Sequence, residues 1–145
     1  MTSLTASLRL LTSTLAMSLA TLPAWTEQSA PVLTLELNAA QPSEKGCRLT
    51  FLVNNSLGAD VTKAAFEIAL FNEAGVVDRL TVLDFKDLPS GKTKVTRFDL
   101  AGADCAKVSR VLINSATECV GSGVEPAACM RKLKTDTKTG IAFGV

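Results

Sequence analysis

The sequence contains no histidine and no tyrosine among its 145 residues. Without histidine, the chain cannot build a Ser-His-Asp or Cys-His catalytic site, a histidine-ligated metal centre or a histidine pH switch. It also has no basic excess, because 15 Lys and Arg residues face 14 Asp and Glu residues and leave a net charge of +1. Phosphate loops, Gly-rich dinucleotide motifs and calcium loops are missing as well. We therefore expect no catalytic residue, no cofactor, no bound metal and no nucleic-acid partner.

The N-terminal segment has the pattern of a secretory signal. Arg9 supplies a positive charge, and residues 10–22 follow without a charged side chain. This apolar run is short for a membrane span and ends at Pro23. We predict a signal peptide over residues 1–24, a flexible leader over 25–31 and a single domain over 32–145, with no stable membrane span after processing. The alternative is an N-terminal helix that is kept as an anchor.

Four cysteines fit an exported chain, since an even number in a short exported sequence is typical of disulfides. Three pairings are possible, and we favour Cys47 with Cys105 and Cys119 with Cys129. The second bridge would staple a loop over residues 120–128. The alternative is a zinc ion held by all four thiolates, but the close Cys pairs that such sites use are missing.

The rest of the chain predicts six or seven short strands separated by turn residues. The centre is a β-hairpin over residues 63–85 that turns near Gly75, where a positive φ is easily adopted. The other predicted strands cover residues 32–38, 47–55, 92–100, 108–115 and 141–143. Alternation over residues 47–55 places Cys47, Leu49, Phe51 and Val53 on a buried face. This pattern predicts an all-β, antiparallel β-sandwich, with a small closed barrel as the alternative.

Three features in or directly after the hairpin leave more than one interpretation open. Asp78, Asp84 and Asp87 are near one another in sequence and can be a solvated surface or a carboxylate site. The run from Val77 to Leu80 carries polar and apolar groups on both faces, so its buried face is ambiguous unless a bulge resolves it. Phe71 and Phe85 fall off the inner-face pattern, which allows either burial or an exposed patch.

Two stretches carry a resemblance to known proteins. The run from Phe66 to Val77, followed by Leu88-Pro89-Ser90-Gly91 and Phe98, resembles the small immunoglobulin-like domains of bacterial envelope proteins. The mature region also looks like short exported alphaproteobacterial proteins often labelled Tat pathway signal proteins, notably at residues 46–49, 77–81 and 110–114. The resemblance implies an immunoglobulin-like sandwich in the cell envelope and implies almost nothing about activity.

These observations favour a periplasmic or secreted, non-enzymatic interaction module. Its partner would be a protein or another envelope component, recognised by a sandwich face, an edge strand or the stapled loop. Two other functions stay open: a periplasmic carrier of a small ligand or metal, and a hydrolase that uses carboxylates alone.

Overall fold

The computed structural model describes residues 27–145, and the predicted signal segment lies outside them. Residues 27–31 carry no regular structure, and the first strand begins at Val32. Eight strands follow: β1 (Val32–Pro42), β2 (Gly46–Ser56), β3 (Val61–Asn72), β4 (Val77–Leu88), β5 (Thr93–Ala101), β6 (Val108–Val120), β7 (Leu133–Thr137) and β8 (Ala142–Gly144). A 3-10 turn, Cys105–Lys107, precedes β6, and a single helical turn, α1 (Ala128–Arg131), precedes β7.

The strands form two four-stranded sheets with the orders β5-β2-β1-β7 and β4-β3-β6-β8. The all-β sandwich predicted from the sequence is confirmed. Most neighbours are antiparallel, but β7 pairs parallel with β1 and β8 pairs parallel with β6. The placing of β2 beside β1 and β5, and of β3 beside β6, is the order found in immunoglobulin-like sandwiches.

Alternating apolar residues explain why the two sheets face each other. On β1 and β2 the inward side chains are Leu33, Leu35, Leu37, Cys47, Leu49, Phe51 and Val53, all essentially buried. On β3 they are Phe66, Ile68 and Leu70, also buried. Phe51 packs edge-on against Phe85 and Phe98, at centroid distances of 5.5 and 6.0 Å. The core is therefore a layer of leucine and phenylalanine between the sheets.

Several predicted boundaries were wrong. The predicted turn over residues 86–91 begins too early, because β4 continues to Leu88 after an irregular step at Lys86, which has a φ of +64°. The last long strand was predicted to end at Ser115, whereas β6 extends to Val120 and includes Cys119. Strand β7 was not predicted, and the short C-terminal strand predicted at 141–143 is present as β8.

Two disulfides hold the sandwich, and they join the favoured partners. The Cys47–Cys105 bridge ties the start of β2 to the turn that precedes β6. The Cys119–Cys129 bridge ties the end of β6 to α1. All four cysteines are therefore paired, and no thiol is free.

Candidate functional site

The outer surfaces of the two sheets differ in chemistry. The β5-β2-β1-β7 sheet carries charged pairs on its outer surface: the Arg48 guanidinium donates to both Asp99 oxygens, at 3.0 and 3.1 Å, and Lys138 contacts Glu36 and Asp136. The other sheet also carries ion pairs, Lys63–Glu118 and Lys86–Asp84, and in addition it exposes apolar groups. Within residues 27–145, seven large apolar side chains are exposed, and four of them lie together at Val76, Val77, Leu80 and Val82. The exposed apolar side chains are therefore concentrated on strand β4 and directly before it.

The buried side of β4 determines which residues face solvent. Leu83 and Phe85 point into the core, so Val82 and Leu80 point outward on the same strand. A register irregularity between Leu70 and Phe71, opposite the start of β4, resolves the ambiguous run near Gly75. The interpretation that a bulge acts here is confirmed. Arg79 faces the gap between the sheets, and its side chain remains 35% exposed.

Neighbouring strands extend the apolar surface. Ala69 of β3 lies between Leu80 of β4 and Leu112 of β6. Ala69 is only 3% exposed although it is not part of the core between the sheets, since the longer side chains beside it cover its methyl group. We use the name β4 face for the surface that is formed by Ala69, Phe71, Val77, Leu80, Val82 and Leu112.

Polar groups border the β4 face. The Arg110 guanidinium lies over the Phe71 ring, 5.5 Å from its centroid, and Arg110 and Phe71 are cross-strand partners. On the other side, Asn114 Nδ2 donates to Glu67 Oε1 at 2.6 Å. An apolar centre with a polar rim is the anatomy of a protein-binding patch. Phe71 is thus a half-exposed member of the face, whereas Phe85 is fully buried.

The β4 face continues to an open sheet edge. Strand β4 has β3 on one side and no strand on the other. Near the C-terminal end, Lys94 Nζ crosses from β5 and donates to Phe85 O at 3.2 Å and Asp87 O at 2.8 Å. At the N-terminal end, the Arg79 side chain donates through Nη1 to Ala101 O at 2.7 Å. This hydrogen bond uses no backbone group of β4. The stretch from Val77 to Leu83 is therefore an uncovered edge within the described part of the chain.

The three carboxylates singled out in the sequence do not converge on a common site. Asp78 contacts Arg79 at 3.3 Å, Asp84 contacts Lys86 at 2.6 Å, and Asp87 contacts Lys94 at 3.2 Å. The hydrogen bond from the Lys86 ammonium holds the pKa of Asp84 below its ordinary value, and Lys94 lowers the pKa of Asp87 in the same way. Both groups are thus held in the ionised form, whereas a general acid at neutral pH needs a raised pKa.

Three of the clefts on the surface of residues 27–145 contain charged side chains. One, of about 320 Å³, lies between the β3–β4 hairpin and the turn after β5, and its charged residues are Asp78, Arg79, Asp104 and Lys107. Asp104 already accepts a hydrogen bond from Ala106 N and caps the 3-10 turn. Another, of about 470 Å³, surrounds the Arg48–Asp99 pair, and a third, of about 390 Å³, lies beside the Cys119–Cys129 loop. Asp78, Arg79, Arg48, Asp99 and Asp104 in these clefts are thus each engaged in a local hydrogen bond or ion pair.

Two further findings concern residues 27–145. This part of the chain has no group of three or more His, Cys, Asp or Glu residues placed to hold a metal ion. It also has no helix with the length and apolar character needed to cross a membrane.

Sequence reasoning missed the central residues of the β4 face. Leu80 and Val82 were visible as alternating apolar residues, but Asp78 and Arg79 beside them obscured which side is buried. Ala69 and Leu112 could not be recognised from the sequence as parts of this surface, because their position beside Leu80 depends on strand order. The loop predicted over residues 120–128 is closed by the Cys119–Cys129 disulfide and connects β6, which ends at Val120, to α1, which begins at Ala128.

Comparisons with known proteins give no relative: no protein-family model, no curated protein and no solved structure matches this chain.

Proposed function

We propose that this protein is an exported, non-enzymatic interaction module of the cell envelope that binds a protein partner through the β4 face. The carrying observation is the concentration of exposed apolar side chains on the β4 face. Both sheets display ion pairs to solvent, but four of the seven exposed large apolar side chains of residues 27–145 lie on or directly before β4, where Leu80 and Val82 are exposed beside a covered alanine. Contiguous exposed apolar groups with a polar rim are costly to leave in water and mark interaction sites.

Export is supported by the disulfides and by the N-terminal sequence. Two bridges that use every cysteine are typical of an oxidising compartment such as the periplasm or the extracellular space. The charged, then apolar, then proline-terminated segment over residues 1–24 is the pattern of a cleavable signal. The resemblance to envelope immunoglobulin-like domains points to the same location.

A non-enzymatic role is supported by the state of the acidic groups. Asp84 and Asp87 each contact a lysine and have lowered pKa values. They are ionised at neutral pH and cannot donate a proton there. Together with the absence of histidine, this arrangement favours binding over catalysis.

Photo-crosslinking in intact cells tests the proposal. A photoreactive amino acid is placed at position 80 on the β4 face or at position 95 on the opposite sheet. Leu80 and Val95 are a matched pair, because each is 56% exposed and each lies on an edge strand. We expect a specific protein adduct, detected by immunoblot and mass spectrometry, from position 80 and not from position 95. Absence of any adduct at position 80, or an identical set of adducts at both positions, would contradict the proposal.

A further inference from the structure

We propose that a thiol–disulfide oxidase inserts the two bridges in chain order during export, Cys47–Cys105 first and Cys119–Cys129 second, without the help of a disulfide isomerase. The inference rests on the export part of the proposed function and adds a transient partner, an envelope protein that carries a reactive disulfide. It starts from the pairing. Four cysteines can pair in three ways, and this chain has the pairing that joins consecutive cysteines.

The two bridges lie at opposite ends of the sandwich. Cys47 is near the start of β2, opposite Leu100 at the end of β5. Cys119 is near the end of β6, opposite Ala64 near the start of β3. Strand β6 separates the two bridges, and its thirteen residues span roughly 40 Å at about 3.3 Å per residue. In the folded sandwich, each cysteine therefore has one partner within reach.

Chance encounters in an unfolded chain favour a different pairing. Cys105 lies 58 residues after Cys47 but only 14 residues before Cys119. The probability of loop closure falls with about the 3/2 power of loop length, so Cys105 would meet Cys119 roughly eight times as often as Cys47. The observed pairing therefore requires the first bridge to close before Cys119 competes for Cys105.

The strands that bring Cys47 close to Cys105 all precede Cys119 in the chain. Strand β2 pairs with β5 from Gly46, opposite Ala101, to Asn54, opposite Thr93. Because β5 ends at Ala101, this pairing places Cys105 close to the start of β2. Structure that forms first in the N-terminal part of a chain can be complete before the C-terminal part arrives. The last two cysteines then meet no other free thiol.

The oxidation proceeds by two thiol–disulfide exchanges for each bridge. The Cys47 thiolate attacks one sulfur of the oxidase disulfide, which forms a mixed disulfide and releases the other oxidase sulfur as a thiolate. The Cys105 thiolate then attacks the Cys47 sulfur, which forms the native bridge and releases the second oxidase thiolate. Two electrons and two protons thus pass from the two cysteine thiols to the oxidase, which leaves as a dithiol. A second oxidised oxidase molecule acts on Cys119 and Cys129 in the same way.

Expression of the full chain in three bacterial hosts tests the partner. One host is wild type, one lacks its periplasmic thiol oxidase, and one lacks its periplasmic disulfide isomerase. Free thiols are alkylated at harvest, and the pairing is read by mass spectrometry of a non-reducing digest. We expect native bridges in the wild-type and isomerase-lacking hosts, and free thiols in most molecules from the oxidase-lacking host. Native bridges without the oxidase, or mispaired bridges without the isomerase, overturn the inference.

Two variants that each keep one native pair of cysteines test the order in the isomerase-lacking host. In Cys129→Ser the first two cysteines are unchanged, so we expect the Cys47–Cys105 bridge to form. In Cys47→Ser the first two cysteines are Cys105 and Cys119. Chain order then predicts a non-native bridge between these two, with Cys129 left as a thiol. If Cys47→Ser instead forms mainly Cys119–Cys129, the pairing follows the finished fold and the proposed order is wrong.

Failure of this inference can be distinguished from failure of the proposed function. A chain that retains residues 1–24 and four free thiols contradicts export, and both proposals then fail. An exported chain with mispaired bridges contradicts the order of oxidation alone. The adduct expected at position 80 does not depend on how the bridges were formed, so it tests the interaction module separately.

Discussion

At the scale of single residues, the Asn55 side chain makes three hydrogen bonds to backbone groups. It is 1% exposed at the end of β2. Its Nδ2 donates to Ala59 O at 2.9 Å and Leu88 O at 2.7 Å, and its Oδ1 accepts from Leu57 N at 3.0 Å. One side chain therefore connects β2, the following turn and the end of β4. The sequence predicts only the end of a strand at Asn55, because the contact with Leu88 spans 33 residues.

Replacing Asn55 by alanine removes the partners of three backbone groups. Unpaired buried polar groups cost about 1–3 kcal/mol, so Asn55→Ala should lower the free energy of unfolding by at least that amount. The control is Asn54→Ala, since Asn54 bonds Thr93 Oγ1 in an exposed position and should change stability by about 0.5 kcal/mol or less. Urea unfolding measures both. Equal effects of the two substitutions would show that the buried network does not contribute.

At the scale of single elements, β6 is anchored at both ends. The Cys47–Cys105 bridge lies three residues before its start, and Cys119 is its second-last residue. The first bridge closes a separation of 58 residues and the second one of 10. In the chain-entropy account, a longer closed loop restricts the unfolded chain more strongly.

The two bridges should therefore differ in their effect on stability. Replacing Cys47 and Cys105 by alanine should cost about 4 kcal/mol, and replacing Cys119 and Cys129 should cost about 3 kcal/mol. Each double variant serves as the control for the other, because both remove two buried or nearly buried sulfur atoms. Chemical denaturation of the oxidised proteins provides the comparison. A larger loss for the Cys119–Cys129 variant would contradict the loop-length argument.

Elements also show where sequence reasoning succeeds and where it stops. The inner faces of β1 and β2 were predictable, because leucine and phenylalanine occupy every second position without interruption. Only one face of each strand can then be the buried one. Strand β7 was missed, since Leu133 lies between Lys132 and Lys134 and no alternating apolar pattern surrounds it. Its strand character comes from parallel pairing with β1, about 100 residues earlier, which local patterns do not reveal.

The candidate site was less predictable than the fold for the same reason. A binding face needs the identity of neighbours on adjacent strands. Leu80 can be recognised as apolar from the sequence, but its position beside Ala69 and Leu112 follows from pairing across three strands. The exposure of a side chain on β4 also depends on distant parts of the sequence, because they determine which edge of the sheet has no neighbouring strand.

At the scale of the whole molecule, Phe51 joins the two sheets. It belongs to β2, and its ring contacts Phe85 of β4, Phe98 of β5 and Phe143 of β8, with centroid distances of 5.5, 6.0 and 5.5 Å. These strands include three of the four sheet edges. Phe51 thus contacts residues of β4 and β5 at one pair of sheet edges and a residue of β8 at the opposite edge.

Phe51→Ala should destabilise the entire sandwich. Deleting a fully buried phenylalanine costs about 3–5 kcal/mol through lost burial and the remaining cavity. Phe71→Ala is the control, because Phe71 lies on the outer surface and loses mainly its contact with Arg110, about 1 kcal/mol. Unfolding should be followed by far-UV circular dichroism, since residues 32–145 contain no tryptophan or tyrosine. A loss of about 1 kcal/mol or less for Phe51→Ala would mean that the sheets are not coupled through this ring.

The Cys47–Cys105 bridge has a mechanical consequence. If the two ends of the chain are pulled apart, the load passes directly from Cys47 to Cys105 through the sulfur atoms. The intervening chain, which includes most of β2 and all of β3, β4 and β5, is not part of the covalent path that bears the load. About 200 Å of contour length is thereby withheld from extension, at about 3.4 Å per residue. Under tension, the strand that forms the β4 face would stay inside the loop closed by the disulfide, while the parts of the chain outside that loop stretch.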